Sequence, residues 1–166
     1  MFKEFGVMLD CSRNAVMNVT AVKKFIDLLS IMGYNTLQLY TEDTYEVKNE
    51  PYFGYLRGRY TSQEIKEIDR YANSKGIELI PCIQTLAHLD CIFNCDDYYN
   101  IHDIDNILLV DEPRTYQLIE NIFATLAENF TSRKVTIGMD EAHHLGLGNY
   151  LHKHGYTDGY TLFLRH

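Results

Sequence analysis

The sequence has no tryptophan, no apolar run approaching the roughly 20 residues of a membrane span, and few basic side chains: 15 Lys and Arg against 23 Asp and Glu. The first absence leaves 13 tyrosines and 8 phenylalanines to supply any aromatic surface. The second argues against a membrane-spanning protein. The third gives a net charge of −8, which argues against a nucleic-acid backbone or an anionic membrane surface as partner. That charge suits a neutral or cationic small ligand. Met1–Gly6 lacks the basic-then-apolar layout of a signal peptide. Cys11, Cys82, Cys91 and Cys95 form neither a disulfide framework nor a Cys-x-x-Cys pair. The expectation is reduced thiols in a cytoplasmic protein. A phosphate-binding Gly-x-x-x-x-Gly-Lys-Ser/Thr is also missing. Asp140-Glu-Ala-His143, which spells a helicase signature, therefore does not carry that reading.

What is present is material for a core. Hydrophobic residues make up 46% of the chain, enough for a single domain over 1–166. Phe5–Asp10 reads as a first buried strand, and Thr20 precedes a helix over Ala21–Ile31 with Val22, Phe25, Ile26 and Leu29 at helical spacing. Gly33 closes it. Thr36–Tyr40 is a second strand. A long loop, Thr44–Tyr60, leads to Thr61-Ser-Gln-Glu64, a capping box that opens a second helix ending near Lys75. Ile77–Ile83 is a third strand, followed by a long polar loop over Asp90–Asp111. Pro113 starts a third helix that runs to about Asn129. Val135–Met139 reads as a short buried fourth strand ending in Asp140 and Glu141. Beyond a Gly- and His-rich stretch, Thr157-Asp158 can cap a last helix over Gly159–His166.

Strands alternating with helices imply a parallel sheet with right-handed crossovers. All four strands end in polar groups: Asp10 and Arg13, Glu42 and Asp43, His88, Asp140 and Glu141. In parallel α/β folds those ends converge on one face. An open sheet draws ligand contacts from a single switch point, whereas here every strand end is polar. The expected fold class is therefore α/β, a (βα)4 half of a TIM (β/α)8 barrel, a fold that typically takes about 250 residues when complete.

Four segments then carry a resemblance: Gly6-Val-Met-Leu-Asp-Cys-Ser-Arg13, Leu37-Gln-Leu-Tyr-Thr-Glu-Asp-Thr-Tyr45, Pro81-Cys-Ile-Gln-Thr-Leu-Ala-His88 and Ile137-Gly-Met-Asp-Glu141. In this order the chain resembles the first half of the catalytic barrel of family-20 glycoside hydrolases, the β-N-acetylhexosaminidases. The resemblance implies substrate-assisted hydrolysis of terminal β-linked N-acetylglucosamine or N-acetylgalactosamine, in which the acetamido oxygen of the sugar is the nucleophile. By that resemblance Glu141 is the acid/base and Asp140 orients the acetamido group and stabilises the positive charge that develops beside it. Arg13 grips ring hydroxyls, for which its donor fork is suited; its other reading is an ion pair with Asp10. His88 links to an acid of the second strand, Asp43 or Glu42, in a relay that helps Glu141 hold its proton.

No cofactor is implied, and no metal. His143, His144, His152 and His154 lack His-Glu-x-x-His spacing, and Cys91-x-x-x-Cys95 is not a zinc pair. Glu50 and the segment Tyr52–Tyr60 could rim a sugar pocket. The implied partner is an oligosaccharide containing N-acetylhexosamine. A rival expectation is a non-catalytic half-barrel: a fragment, or a self-assembling carbohydrate-binding module. The family's pocket draws Trp and Tyr from its second half, so the chain alone is expected to be weak or inactive; orientation can be worth about 7–11 kcal/mol of barrier. A half-barrel also leaves open strand edges, hence the expectation of a homo-oligomer that completes it.

Overall fold

The structure, a computed structural model, describes residues 3–13 and 15–166. Met1 and Phe2, at the start of the segment read for a leader, and Asn14, in the expected polar loop after the first strand, lie outside the described residues. Three parallel strands, β1 (Gly6–Asp10), β2 (Thr36–Tyr40) and β3 (Glu78–Cys82), form a sheet in the order β1-β2-β3. Pairing is in step, so Asp10, Tyr40 and Cys82 stand in one row at the C-terminal edge. Helices α1 (Val19–Ile31), α2 (Ser62–Ser74) and α3 (Pro113–Asn129) follow the strands in turn. Two short helices, α4 (Asn149–His154) and α5 (Gly159–Arg165), end the chain. Among the described residues no helix is long and apolar enough to cross a membrane.

The two-residue period of a strand sorts side chains to opposite faces. Leu37, Leu39 and Leu79 bury themselves against Val22, Ile26 and Leu29 of α1 and Ile65 and Ile68 of α2. Each such side chain, taken fully from water, contributes about 1.5–3 kcal/mol. The alternate residues Met8, Asp10, Gln38 and Tyr40 are left for the other face, where Thr136 Oγ1 donates to Gln38 Oε1 at 3.3 Å. Thr61 and Glu64 form the reciprocal cap of α2. The N-cap of α1 is Asn18 rather than Thr20: its Oδ1 accepts from the Ala21 amide at 2.9 Å.

The fourth strand differs from expectation. Its segment runs parallel to β3, with Thr136 N donating to Pro81 O at 2.9 Å, Ile83 N to Thr136 O at 2.9 Å and Thr85 N to Gly138 O at 3.0 Å. Only the Cys82–Thr136 bridge is regular, because Gly138 adopts a φ of 56° and turns the backbone out of strand geometry. Nor is the segment buried: Val135 and Ile137 are exposed, and Val135 borders an open groove beside Phe123 and Ala127 of α3. The expected (βα)4 unit is therefore three strands and an irregular fourth segment.

The stretch expected as a polar loop after β3 sends an apolar set into the interior. Residues Ile92–Asn94 and Asp96–Ile101 wind into short 3-10 helices, and Ile92, Tyr98, Ile101 and Leu108 pack with Leu118, Ile122 and Leu126 of α3. Scattered polar residues masked an apolar set that has no simple period. Glu50 does not reach the strand-end rim; it borders a separate groove with Lys48, Arg59 and Thr125. It is buried and accepts from Arg114 Nη1 (2.8 Å) and Nη2 (2.6 Å), Asn121 Nδ2 (2.9 Å) and Tyr98 Oη (3.1 Å). This clamp ties the β2–α2 loop to α3.

Candidate active site

The site is built where the strands stop. Asp10 is the last residue of β1, and Arg13 follows three residues later. Arg13 Nη1 bonds Asp10 Oδ2 at 3.0 Å, Nη2 lies 3.6 Å from Glu42 Oε1, and the guanidinium sits 5.4 Å from the centroid of the Tyr40 ring. The ion pair with Asp10 therefore forms, and Arg13 is still 55% exposed and open to a ligand. Burial acts to raise the Asp10 carboxyl, but the amide and hydroxyl of Ser12 together with Arg13 outweigh it and hold the group below the ordinary range.

Past β2 the chain turns inward, and both acids, Glu42 and Asp43, are buried. Burial pushes Glu42 above its ordinary range, against the pull of the Tyr40 hydroxyl, Arg13 and His88. Tyr40 Oη donates to Glu42 Oε1 at 3.1 Å, and burial, with the Glu42 charge beside it, raises the phenol to about 12. Asp43 is also raised by burial, with Arg57 opposing. Its carboxylate accepts from Arg57 Nε at 3.1 Å, and Arg57 Nη2 donates to the Ser12 carbonyl at 2.5 Å. Arg57 thus fastens the β2–α2 loop to the loop after β1.

The third and fourth ends meet through His88. Its Nε2 lies 3.5 Å from Glu141 Oε2 and 3.6 Å from Asp140 Oδ2. Both His88 and Glu141 have left-handed backbones, with φ of 58° and 57°, a conformation that costs a residue with a Cβ about 1–3 kcal/mol. The expected link from His88 to an acid of β2 is not formed. Within 4 Å its ring nitrogens meet no carboxylate among the described residues but those of Asp140 and Glu141, because Asp43 is held by Arg57 and Glu42 by Tyr40 and Arg13. The acid pair itself is open to solvent: the Asp140 and Glu141 side chains are 64% and 65% exposed.

Together Met8, Asp10, Arg13, Tyr40, His88, Asp140 and Glu141 line one shallow concavity of about 250 Å³. A larger groove of about 540 Å³ lies between α2 and α3, lined by residues such as Lys66, Asp69 and Glu128. Its buried acid, Asp69, already accepts from Thr131 and Asn73, and no strand-end group reaches it. Among the described residues no three His, Cys, Asp or Glu side chains group as metal ligands. What the concavity offers is a cation beside hydroxyl-sized space, a histidine, and two accessible carboxylates. That set can bind a polar ligand and transfer a proton to it.

Sequence reasoning passed over three contributors, Tyr40, Arg57 and Gln84. The signal for Gln84 was a polar residue directly after an apolar strand. Arg57 sat between two glycines, with nothing local to show what it would pair with.

Comparison with known proteins bears on the same segments. The sequence model of glycosyl hydrolase family 20, catalytic domain, matches residues 2–154. A β-hexosaminidase of Vibrio furnissii is 29% identical over 181 aligned residues, covering 84% of this chain and 29% of the relative. Human hexosaminidase D is 24% identical, covering 82% of this chain and 29% of the relative. Among solved structures, a mutant Streptomyces plicatus β-hexosaminidase in complex with product GlcNAc has a TM-score of 0.75 at 27% identity, over 84% of this chain and 33% of that one. A family-20 exo-β-N-acetylglucosaminidase of Vibrio harveyi, in complex with N-acetylglucosamine, has a TM-score of 0.82 over 97% of this chain and 32% of that one, at 23% identity. The chain thus spans about a third of the length of the proteins it matches, and its fold is a part of theirs, three parallel strands alternating with helices in the manner of a TIM barrel. With the match extending over nearly its whole length, the chain belongs to glycosyl hydrolase family 20 and corresponds to part of its catalytic domain.

Proposed function

We propose that the chain carries the acid-bearing part of a β-N-acetylhexosaminidase, with Glu141 as acid/base and Asp140 as the partner of the substrate's acetamido group. The observation that supports this most is the convergence of Arg13, His88, Asp140 and Glu141, from three strand ends, on one concavity. In substrate-assisted hydrolysis the acetamido oxygen attacks the anomeric carbon while Glu141 gives its proton to the leaving oxygen. Glu141 then takes a proton from the water that opens the oxazolinium intermediate. Asp140 accepts the acetamido N–H and, as a carboxylate, stabilises the positive charge shared across the ring. His88, 3.5 Å and 3.6 Å from the two acids, sets their spacing, and Arg13 receives ring hydroxyls. Glu42 holds Arg13 and Tyr40 in place, and Asp43 acts one step further out by anchoring Arg57.

The exposure of both carboxylates favours slow turnover by this polypeptide, because water competes with each contact a substrate would make. It equally supports a second reading, a carbohydrate-binding half-barrel without catalysis. Hydrolysis of a chromogenic β-N-acetylglucosaminide by the parent and by Glu141→Gln separates the two. The expected result is slow parental turnover that falls by about 100-fold or more in the variant, the scale of a lost general acid. Turnover that survives the substitution removes Glu141 from its role. A parent that binds N-acetylglucosamine without cleaving the glycoside leaves the second reading.

A further inference from the structure

Gln84 is the least explained polar group near the concavity. It is 1% exposed, and its Nε2 donates to two acceptors, Tyr40 Oη at 3.0 Å and Asp140 Oδ1 at 3.3 Å. Its Oε1 is buried without a partner. The side chain is also boxed in: a Cβ on Gly138 would lie 2.6 Å from its Cδ and Oε1. A buried amide that leaves one end unsatisfied destabilises the fold by itself. Nothing about packing requires an amide here, since a methionine fills the same volume.

Its contacts join groups that are otherwise separate. From Arg13 the line runs to Glu42 (3.6 Å), from Glu42 to Tyr40 (3.1 Å), from Tyr40 to Gln84 (3.0 Å) and from Gln84 to Asp140 (3.3 Å). Tyr40 gives its own proton to Glu42, so its oxygen is free to accept from Gln84, and each donor finds an acceptor in turn. The line crosses the floor of the concavity from its cation to its carboxylate.

We propose that Gln84 is a positioning residue that fixes the Asp140 carboxylate relative to Arg13, using Tyr40 as the bridge. One amide N–H aimed at Oδ1 selects one rotamer of an otherwise exposed, freely rotating aspartate, while Oδ2 faces His88. The spacing between the acetamido contact and the ring-hydroxyl contact is then set by β2 and β3 rather than by the irregular end of the fourth segment alone. The catalytic consequence rests on the function proposed above; the geometric one does not.

Gln84→Met, which keeps the volume and removes the donor, tests both on the full chain, together with Tyr40→Phe. In crystal structures, Gln84→Met is expected to release Asp140 from its position. An Asp140 side chain unmoved in Gln84→Met overturns the proposal whatever the enzyme does. In hydrolysis, kcat/KM is expected to fall by about tenfold, the scale of one hydrogen bond to a charged group, with the melting temperature retained or raised. Gln84→Met and Tyr40→Phe together should lose less than the product of their separate effects, as members of one network do. Multiplicative losses overturn the bridge. A parent without hydrolysis counts against the proposed function alone, and the position of Asp140 then decides the case of Gln84.

Discussion

The residues that report on charge at this site pull its stability in opposite directions with pH. Glu42 is raised by burial, so the folded state holds its proton more tightly than the unfolded chain does. By linkage that contribution is fully present below the unfolded value near 4.5 and is lost as pH climbs through the higher folded value. Asp10, held low, contributes with the opposite sign: its share is present above its unfolded value near 3.8 and is lost as pH falls. Glu42→Gln removes only the first effect and keeps an acceptor for Tyr40. Melting curves of variant and parent should therefore diverge in the variant's favour on going from pH 4.5 to neutrality; a constant difference would show that Glu42 does not titrate between those limits. Much of the site was legible at this scale, because Arg13, Glu42, His88, Asp140 and Glu141 are chemically conspicuous at strand ends. What was illegible was pairing. That Asp43 does not reach His88 depends on where Arg57 lands, and Arg57 lies 14 residues further along the chain than Asp43.

Among the elements, the helices were easier to read than the strands. Their signals are local: Pro113 marks the first turn of α3, Asp158 caps α5 by accepting from Thr161 N at 3.1 Å, and Thr61 with Glu64 closes the start of α2. The α2 cap gives a direct test. Thr61→Ala should lower stability by about 1 kcal/mol, read as a shift in the urea midpoint with an unchanged slope; a neutral outcome would mean that Glu46 Oε2, which accepts from Ser62 N at 3.1 Å, already satisfies the helix start. The fourth segment defeated the same approach. Its alternation, Val135, Ile137, Met139, is that of a strand, yet the decisive fact is the conformation of Gly138. A Cβ there would stand 2.2 Å from Ile83 O, so the glycine lets the segment approach β3 closely and then leave the ladder. Glycine permits such a turn without announcing it. The residues Asp90–Asp111 failed for the converse reason, since their buried set is assembled by 3-10 turns whose contacts are not periodic in sequence.

At the scale of the molecule, the β2–α2 loop is tethered to the rest of the fold at two buried acids, Asp43 and Glu50. Its Glu50 clamp joins four side chains from three segments of chain, and its Arg57 reaches the loop after β1. Arg114→Ala would leave the buried Glu50 charge with Asn121 and Tyr98 as donors but without a cation. A loss of roughly 3 kcal/mol in chemical denaturation is expected, and Glu50→Gln in the same chain should recover part of it by removing the unpaired charge. Equal stability in the single and double variants would mean that Glu50 is hydrated once Arg114 is gone. The βα order, the parallel sheet and the common rim were legible from alternation alone. The clamp was not, because a glutamate in a Tyr-rich loop carries no sign of a partner 64 residues away.

Glu141 occupies a left-handed backbone that suits glycine or asparagine better than glutamate. The fold and the proposed chemistry therefore ask for different residues at this position. Under selection for stability alone, drift should carry position 141 toward glycine or asparagine, each of which relieves strain and discards the acid. A lineage that keeps glutamate there forgoes that relief in every generation. Under the role proposed for Glu141, the identity of residue 141 serves as a record of whether proton transfer is still under selection, legible without any measurement of turnover.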